Sequence, residues 1–522
     1  MSQRSASPVL SSYARLQRFI LTALLCWTVF TPGAVQASEE LHYALTVNVN
    51  FGQDLGQPLG SLFEVRDSQG EVVLGAGFAS VYNTMLQGNR HELQLYLHGD
   101  RDEALEISSL PRPSPAMGTF ITAYNGELLA NAMNYGSPMV WDSASTTWRE
   151  DTTAPRYYQT PVASGNLVFR PSQVEYQGRT IFASERTTAL FFYGAGNLFA
   201  WEEGESDLSK AKVHAVPWTP DRDRADMDHA ATLELATSSA FPYCYGVLDN
   251  EVLMVSNLGW LYGFDGEQWR LIQDNSGNVF QMYTMLNVYD RLLLGNFPTG
   301  GIYAWDGNTL EFVSAPLDYA HSGMFEAQTF ALYGGDLYVG MWPWGELWRY
   351  SVLDNEWNLA ARLFSHPERD SDLLTPYRSL LRTEFPSREY SSHSLGQRVY
   401  SLLPLSGSLY ASTSARSGRD GRDIFHFLSQ QELDQYGAVH RITAPTEASA
   451  QIRWTGEPTT FVLEVHSDSL RILQDGVELA RSPLDSPPDV TDWAEPEFGY
   501  GIFGPLGGDL LSGQASSPAS SD

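Results

Sequence analysis

The 522-residue chain is poor in cysteine, in lysine and in long apolar runs, and each scarcity closes off a class of protein. Its two cysteines are Cys26 and Cys244. Cys26 falls in an N-terminal leader described below, so Cys244 is left without an internal partner, and neither a disulfide framework nor a cysteine-based zinc site is expected. Lys210 and Lys212 are the only lysines. With 32 Lys+Arg against 62 Asp+Glu the formal net charge is −30. That balance argues against a nucleic-acid binder, because neutralising phosphates needs surplus cations. Beyond the leader no stretch approaches the roughly 20 apolar residues that a spanning helix requires. Walker loops, Gly-x-Ser-x-Gly elbows and His-Glu-x-x-His helices are also missing. The acid-rich run from Asp221 to His229 fails as a calcium loop, since Asp226 and Thr232 stand where Gly and Glu are needed. No metal site is expected, and the cofactor is unknown.

Aromatic residues, by contrast, are plentiful at 12%, and hydrophobic residues at 43% can fill a sizeable core. At the N-terminus, Arg15 and Arg18 precede an apolar stretch from Phe19 to Phe30, then Thr31-Pro32-Gly33 and Val35-Gln36-Ala37. This is the pattern of a secretory signal cleaved after Ala37, so a secreted or periplasmic protein with no membrane span is expected.

A six-residue unit, Gly-x-apolar-apolar-x-aromatic, organises the rest. It is clearest at Gly196–Trp201, Gly259–Phe264, Gly300–Trp305 and Gly345–Tyr350, and weaker at Gly60, Gly136 and Gly421. The spacings Gly259 to Gly300 and Gly300 to Gly345, 41 and 45 residues, suit one four-stranded propeller blade each. Upstream come tight turns followed by short apolar runs, as in Tyr124-Asn125-Gly126, Leu248-Asp249-Asn250 and Tyr333-Gly334-Gly335. These read as strand, turn, strand. Downstream come an Asp turn and a tryptophan: Asp142 then Trp148, Asp265 then Trp269, Asp354 then Trp357. Such tryptophans are expected to wedge between neighbouring blades.

This order of glycine turn, Leu-Tyr strand, aromatic strand, Asp turn and Trp resembles kelch-type β-propellers over roughly residues 114–430. It implies an all-β fold, a seven-bladed β-propeller with the six-residue units as third strands. The expected organisation is a signal peptide at 1–37 and a propeller at 38–439 with inserts at about 203–240 and 361–396. A small C-terminal hairpin or sandwich follows at 440–507, built around the Asp475-Gly476 turn, and then a disordered tail at 508–522 rich in Ser, Gly and Ala.

In a propeller the second-to-third-strand loops and the blade-to-blade connections emerge on one face, where function is expected. Candidate binding residues on that face are Asn134, Asn257, Asn296 and Arg416, with Trp342 and Trp344 as rings that could stack on sugars. Candidate catalytic residues are Tyr319 and His321 in one connection and Tyr390, His393 and Arg398 in or after the next. A His or Tyr could take a proton, and Arg398 could neutralise a substrate carboxylate. The chain also resembles, in size and architecture, secreted bacterial polysaccharide lyases such as oligogalacturonate and ulvan lyases. The expected function is binding or processing of an extracellular polysaccharide or oligosaccharide by a monomer. The alternatives are a lyase acting on a uronate polymer, or a scaffold that binds protein partners.

Overall fold

A computed structural model describes residues 40–516 except 85, 89, 99–104, 134–135, 155–161, 187, 206–208, 276–279, 317–324, 369–395 (apart from 379, 383 and 386), 417–426, 445 and 507–508. The described chain is overwhelmingly β; its helical residues are a short helix at Gln430–Leu433, a 3-10 turn at Met227–His229 and the isolated helical residues Ser379 and Thr383. Its larger part is a propeller-type succession of four-stranded antiparallel meanders. Six are continuous, at 119–150, 162–183, 188–234, 242–273, 281–314 and 326–362. In the seventh, strands Gln397–Leu405, Ser408–Ala415 and Val439–Thr443 receive their fourth strand, Glu106–Ser109, from far upstream.

Local chemistry explains the meanders. The first hairpin of five of them turns on two consecutive residues with positive φ: Asn125-Gly126, Ala195-Gly196, Asp249-Asn250, Gly334-Gly335 and Ser406-Gly407. That is the type I′ geometry, whose twist matches the strands it joins. Burial falls from the inner strands outward. Glu326–Tyr333 and Asp336–Trp342 are buried at every position, whereas Glu356–Arg362 is largely exposed or half-buried. The wedge role of the outer tryptophans holds. Trp269 Nε1 donates to the Ala231 carbonyl at 3.1 Å and Trp357 Nε1 to Ser314 Oγ at 3.0 Å, each reaching the outer strand of the preceding meander.

Some expectations change. Gly196 sits in a first-hairpin turn, so Asn197–Glu202 is a second strand, and the third is Lys212–Pro217. Strands Lys212–Pro217 and Ala231–Glu234 therefore occupy much of the segment read as an insert at 203–240. The meander at 162–183 contains no six-residue unit. Gly421 lies outside the described residues. The unit after Gly60 forms strand Ser61–Arg66, which belongs to a different structure altogether.

That structure is a sandwich shared by both ends of the described chain. One sheet orders Val477–Pro483, Ser469–Gln474, Thr459–His466, Leu41–Asn50 and Asp509–Ser516, so the segment expected as a disordered tail instead supplies an edge strand, ordered by its backbone pairing with Leu41–Asn50. The other orders Glu447–Gln451, Glu92–Leu97, Val72–Phe78, Ser61–Arg66 and Glu497–Phe498. Between them lie Leu45, Val47, Phe63, Leu74, Leu95, Phe461, Leu463 and Ile472. The hairpin expected around Asp475-Gly476 is present, and it pairs onward with N-terminal strands. The second sheet turns a polar face to the first-hairpin turns of two meanders. Gln94 Oε1 accepts from Gly334 N at 3.2 Å, and Glu92 accepts from Ser406 N and Gly407 N at 2.8 and 3.1 Å.

From this sheet one hairpin leaves. Strands Ser80–Asn83 and Leu86–Gly88 connect Val72–Phe78 to Glu92–Leu97 and pair against the innermost strand Glu326–Tyr333, extending that meander to six strands.

Candidate functional site

The innermost strands follow one another in space: Pro242–Leu248 beside Gln281–Val288, then Glu326–Tyr333, Gln397–Leu405 and Thr119–Tyr124. Four of them carry the same irregularity at the same height. The register slips by one residue between Pro242 and Cys244, Met282 and Thr284, Ala327 and Thr329, and Val399 and Ser401. The extra residues are Tyr243, Tyr283, Gln328 and Tyr400. A β-bulge re-aims the side chain it adds, and bulges gather beside functional sites. One recurring four-residue pattern underlies them: Phe241-Pro-Tyr-Cys, Gln281-Met-Tyr-Thr, Glu326-Ala-Gln-Thr and Arg398-Val-Tyr-Ser.

The bulged residues and their neighbours form a connected group. The Tyr243 and Tyr283 ring centroids lie 5.5 Å apart at 31°, and Phe120 meets Tyr400 edge-on at 5.7 Å. Gln281 Nε2 donates to the Asn257 carbonyl at 2.7 Å. The Tyr283 hydroxyl lies 2.7 Å from Gln281 Oε1 and 3.3 Å from Glu326 Oε1, one proton between two acceptors. Arg398 Nη2 donates to Glu326 Oε2 at 3.0 Å, and Nη1 to the Arg416 carbonyl at 3.3 Å. A chain of polar contacts thus runs across four successive meanders.

Electrostatics decide what this group can do. Burial, reinforced by the Glu326 charge, pushes the Tyr283 and Tyr243 hydroxyls above the usual tyrosine range. Both are therefore protonated donors at neutral pH and poor bases. Burial disfavours the charged Arg398, but Glu326, joined by Tyr283 and Tyr400, holds the guanidinium above its ordinary value. The two side chains form a buried ion pair at 3.0 Å. Cys244, directly below a bulge, is fully buried and its thiol is pushed far up by that burial, so it is inert.

Beneath the bulges the sandwich hairpin closes the space. Tyr82 Oη accepts from Tyr245 N at 2.8 Å, and the Tyr82 carbonyl accepts from Thr284 Oγ1 at 2.7 Å and Thr329 Oγ1 at 3.2 Å. Asn83 pairs with both backbone groups of Leu402, each at 2.9 Å, and its Oδ1 also accepts from Thr329 Oγ1. Thr84 Oγ1 reaches the Gln328 carbonyl at 3.4 Å. One hairpin is thus bonded to four innermost strands through Tyr82, Asn83 and Thr84.

Of the residues proposed from sequence, Arg398 belongs to this group. Tyr319, His321, Tyr390, His393 and Asn134 lie outside the described residues. Asn257 supports the group from behind: its Oδ1 accepts from Phe241 N at 2.8 Å while its carbonyl holds Gln281. Asn296 is fully buried and ties its own loop, donating to the Phe297 carbonyl and accepting from Thr299 Oγ1, both at 2.8 Å. Arg416 is exposed and contributes its carbonyl. Trp342 and Trp344 are each 2% exposed. Gly396 packs against the Trp342 ring, and the Arg362 guanidinium lies 5.1 Å over the Trp344 ring. Neither offers a face to a sugar. Sequence reasoning missed Tyr243, Tyr283, Gln328 and Tyr400, although the four-residue pattern carries them.

No protein-family model and no curated protein matches the chain. Solved structures similar to it include the computationally designed Ika8 protein, with 11% identity over 71% of this chain and 98% of the other and a TM-score of 0.31. YCF48 bound to D1 peptide has 11% identity over 66% and 99%, with a TM-score of 0.33. BamB from Moraxella catarrhalis has 9% identity over 73% and 91%, with a TM-score of 0.24. The fold described above rests on the strand pairing itself.

Proposed function

We propose that this chain is a secreted or periplasmic binding protein, a monomer whose seven meanders are the blades of one ring and whose ligand is a polymer taken at the mouth of the central channel. The single observation that carries the binding role is the row of bulges at Tyr243, Tyr283, Gln328 and Tyr400, which turns one blank strand position into a ligand-facing one four times over. Closure of the ring is supported by Trp148, whose Nε1 donates to the Pro111 carbonyl at 2.5 Å just beyond strand Glu106–Ser109. The first meander thereby reaches the last as Trp269 and Trp357 reach their own predecessors. Placement outside the cytoplasm rests on reading residues 1–37 as a cleaved signal. The hairpin makes the channel blind, which suits retention of a ligand rather than passage through it.

Binding is tested with the purified protein and its Tyr283→Ala variant against immobilised polysaccharides and displayed peptides. Retention of one polymer class by the native protein, weakened at least tenfold in the variant, supports the mouth as the site. Equal retention by both moves the site elsewhere.

A second reading is a lyase acting on a uronate polymer, favoured by Arg398 beside two tyrosines at the mouth, with Tyr319, His321, Tyr390 and His393 as the remaining candidates. Two considerations weigh against it: Arg398 is already neutralised by Glu326, and a net charge of −30 repels a polyanion. Release of unsaturated sugars from polygalacturonate, followed by ultraviolet absorbance and lost in Arg398→Ala, would establish it.

A further inference from the structure

The bulged Gln328 and Arg398, two residues before the bulge at Tyr400, each leave a buried polar atom unsatisfied on neighbouring innermost strands. Gln328 is 4% exposed, and among the described residues its Oε1 accepts nothing; Arg398 is 15% exposed at the side chain, and among the described residues its Nε donates to nothing. Native proteins seldom leave such atoms unpaired, so each marks a place where something else supplies the partner. One atom asks for a donor and the other for an acceptor. A peptide group carries both, an N–H and a C=O on one planar unit.

The surroundings narrow the choice. Tyr283 and Tyr400 are each 8% exposed, so neither offers the open ring face on which a pyranose stacks. A narrow, flat group fits where a sugar ring does not. The Glu326–Arg398 pair is neutral, while the whole chain carries −30, so an approaching segment that is uncharged or basic is favoured over an acidic one. Tyrosine and arginine around a desolvated centre are also the side chains that dominate protein–protein contacts.

We infer that the mouth recognises an extended, neutral-to-basic polypeptide, inserting one of its amide groups between Gln328 Oε1 and Arg398 Nε. This rests on the mouth being the binding site, and it adds the chemical class of the ligand and the two atoms that read it. The segment lies along the tyrosine arc.

The test uses a displayed library of random heptapeptides, selected on the immobilised full-length protein, with polygalacturonate and a neutral glucan as parallel probes. Enriched heptapeptides should be poor in Asp and Glu. Methylating one backbone nitrogen of an enriched peptide should weaken its binding about tenfold, the loss of a single hydrogen bond. Gln328→Leu should bind the unmethylated peptide about tenfold more weakly and be indifferent to that methylation, which a merely structural role of Gln328 does not predict. Thermal melting checks that the variant is folded, and Gln328→Glu, which keeps an acceptor, should retain the methylation effect. Peptides that bind Gln328→Leu as tightly as the native protein overturn the inference. So does retention of a glycan without any peptide enrichment, provided Tyr283→Ala abolishes it; the mouth then stands as a site for another ligand. Failure of every probe at the native mouth removes the mouth reading itself, and the inference with it.

Discussion

The indole nitrogen of Trp148 lies 2.5 Å from the carbonyl oxygen of Pro111, although Trp148 belongs to the first meander and Pro111 follows the outer strand of the last, Glu106–Ser109. Trp269 to Ala231 and Trp357 to Ser314 are the same contact made between sequence neighbours. A shared contact implies a shared cost. Trp148→Phe should lower stability to urea by about 1 kcal/mol, the net worth of one hydrogen bond, and Trp269→Phe and Trp357→Phe should do likewise. If only Trp148→Phe is silent, the first and last meanders are not held as the others are.

The sandwich hairpin gives a larger expected loss. Asn83 satisfies both backbone groups of Leu402 inside a dry region, and alanine would leave a buried N–H and C=O without partners. Asn83→Ala should therefore cost about 2–4 kcal/mol by urea unfolding, at roughly 1–3 kcal/mol per orphaned group less relaxation. A loss below about 1 kcal/mol would mean that the hairpin tip does not stay seated.

Much of the meander architecture was legible because it is local. Turn pairs such as Asn125-Gly126 and Gly334-Gly335 and the outer tryptophans announce themselves within a few residues. The unit at Gly196 misled because a glycine with positive φ serves first and second turns alike. The meander at 162–183 passed unnoticed because its second turn is Pro171-Ser172, where Ser172 takes the φ of 60° that glycine takes elsewhere. Strand Leu41–Asn50 pairs with Thr459–His466, and Tyr82 with Thr284 and Thr329, across separations no periodicity records. Trp342 seemed free because it lies outside the repeat positions, yet its strand is buried on both faces. The bulges had a sequence trace, the four-residue pattern from Phe241 to Ser401, but its spacing is broken by the long connection before Arg398.

The contact between sandwich and meanders should respond to pH. Burial pushes the Glu447 carboxyl up to about 8, with the neighbouring Glu92 adding to the rise, and burial raises Glu92 as well. A carboxyl raised in the folded state stabilises it fully below its unfolded value of 4.5, and that contribution is lost as pH climbs through about 8. Stability should fall between about pH 5 and pH 9, by up to roughly 1.4 kcal/mol per pH unit from this group. Glu447→Gln keeps a polar group beside Ser449 and should flatten the profile. An unchanged slope would place the titration elsewhere.

Cys244 offers a direct probe of packing. Its thiol is buried and held protonated, so iodoacetamide should leave it unmodified in the native protein at pH 8 and label it fully in urea. Mapping the label by mass spectrometry separates it from Cys26. Rapid native labelling would show that the strand beneath Tyr243 opens.

The last expectation concerns the ion pair beside the bulged residues. Glu326 and Arg398 are 8% and 15% exposed at their side chains, so each charge is held by the other rather than by water. Removing one partner should strand the other: Glu326→Gln leaves a buried guanidinium and should cost about 3–5 kcal/mol. Replacing both, as in Glu326→Gln with Arg398→Met, removes the stranded charge and should recover most of that loss, because a buried pair returns little beyond its own desolvation. Binding should behave differently. The double variant regains its fold but loses the Arg398 nitrogen that the ligand would use, so a selected peptide should bind it at least tenfold more weakly than the native protein. Stability and affinity then part company along one mutational cycle. If the double variant recovers both together, the pair is purely structural and the ligand is held by the tyrosines and Gln328 alone.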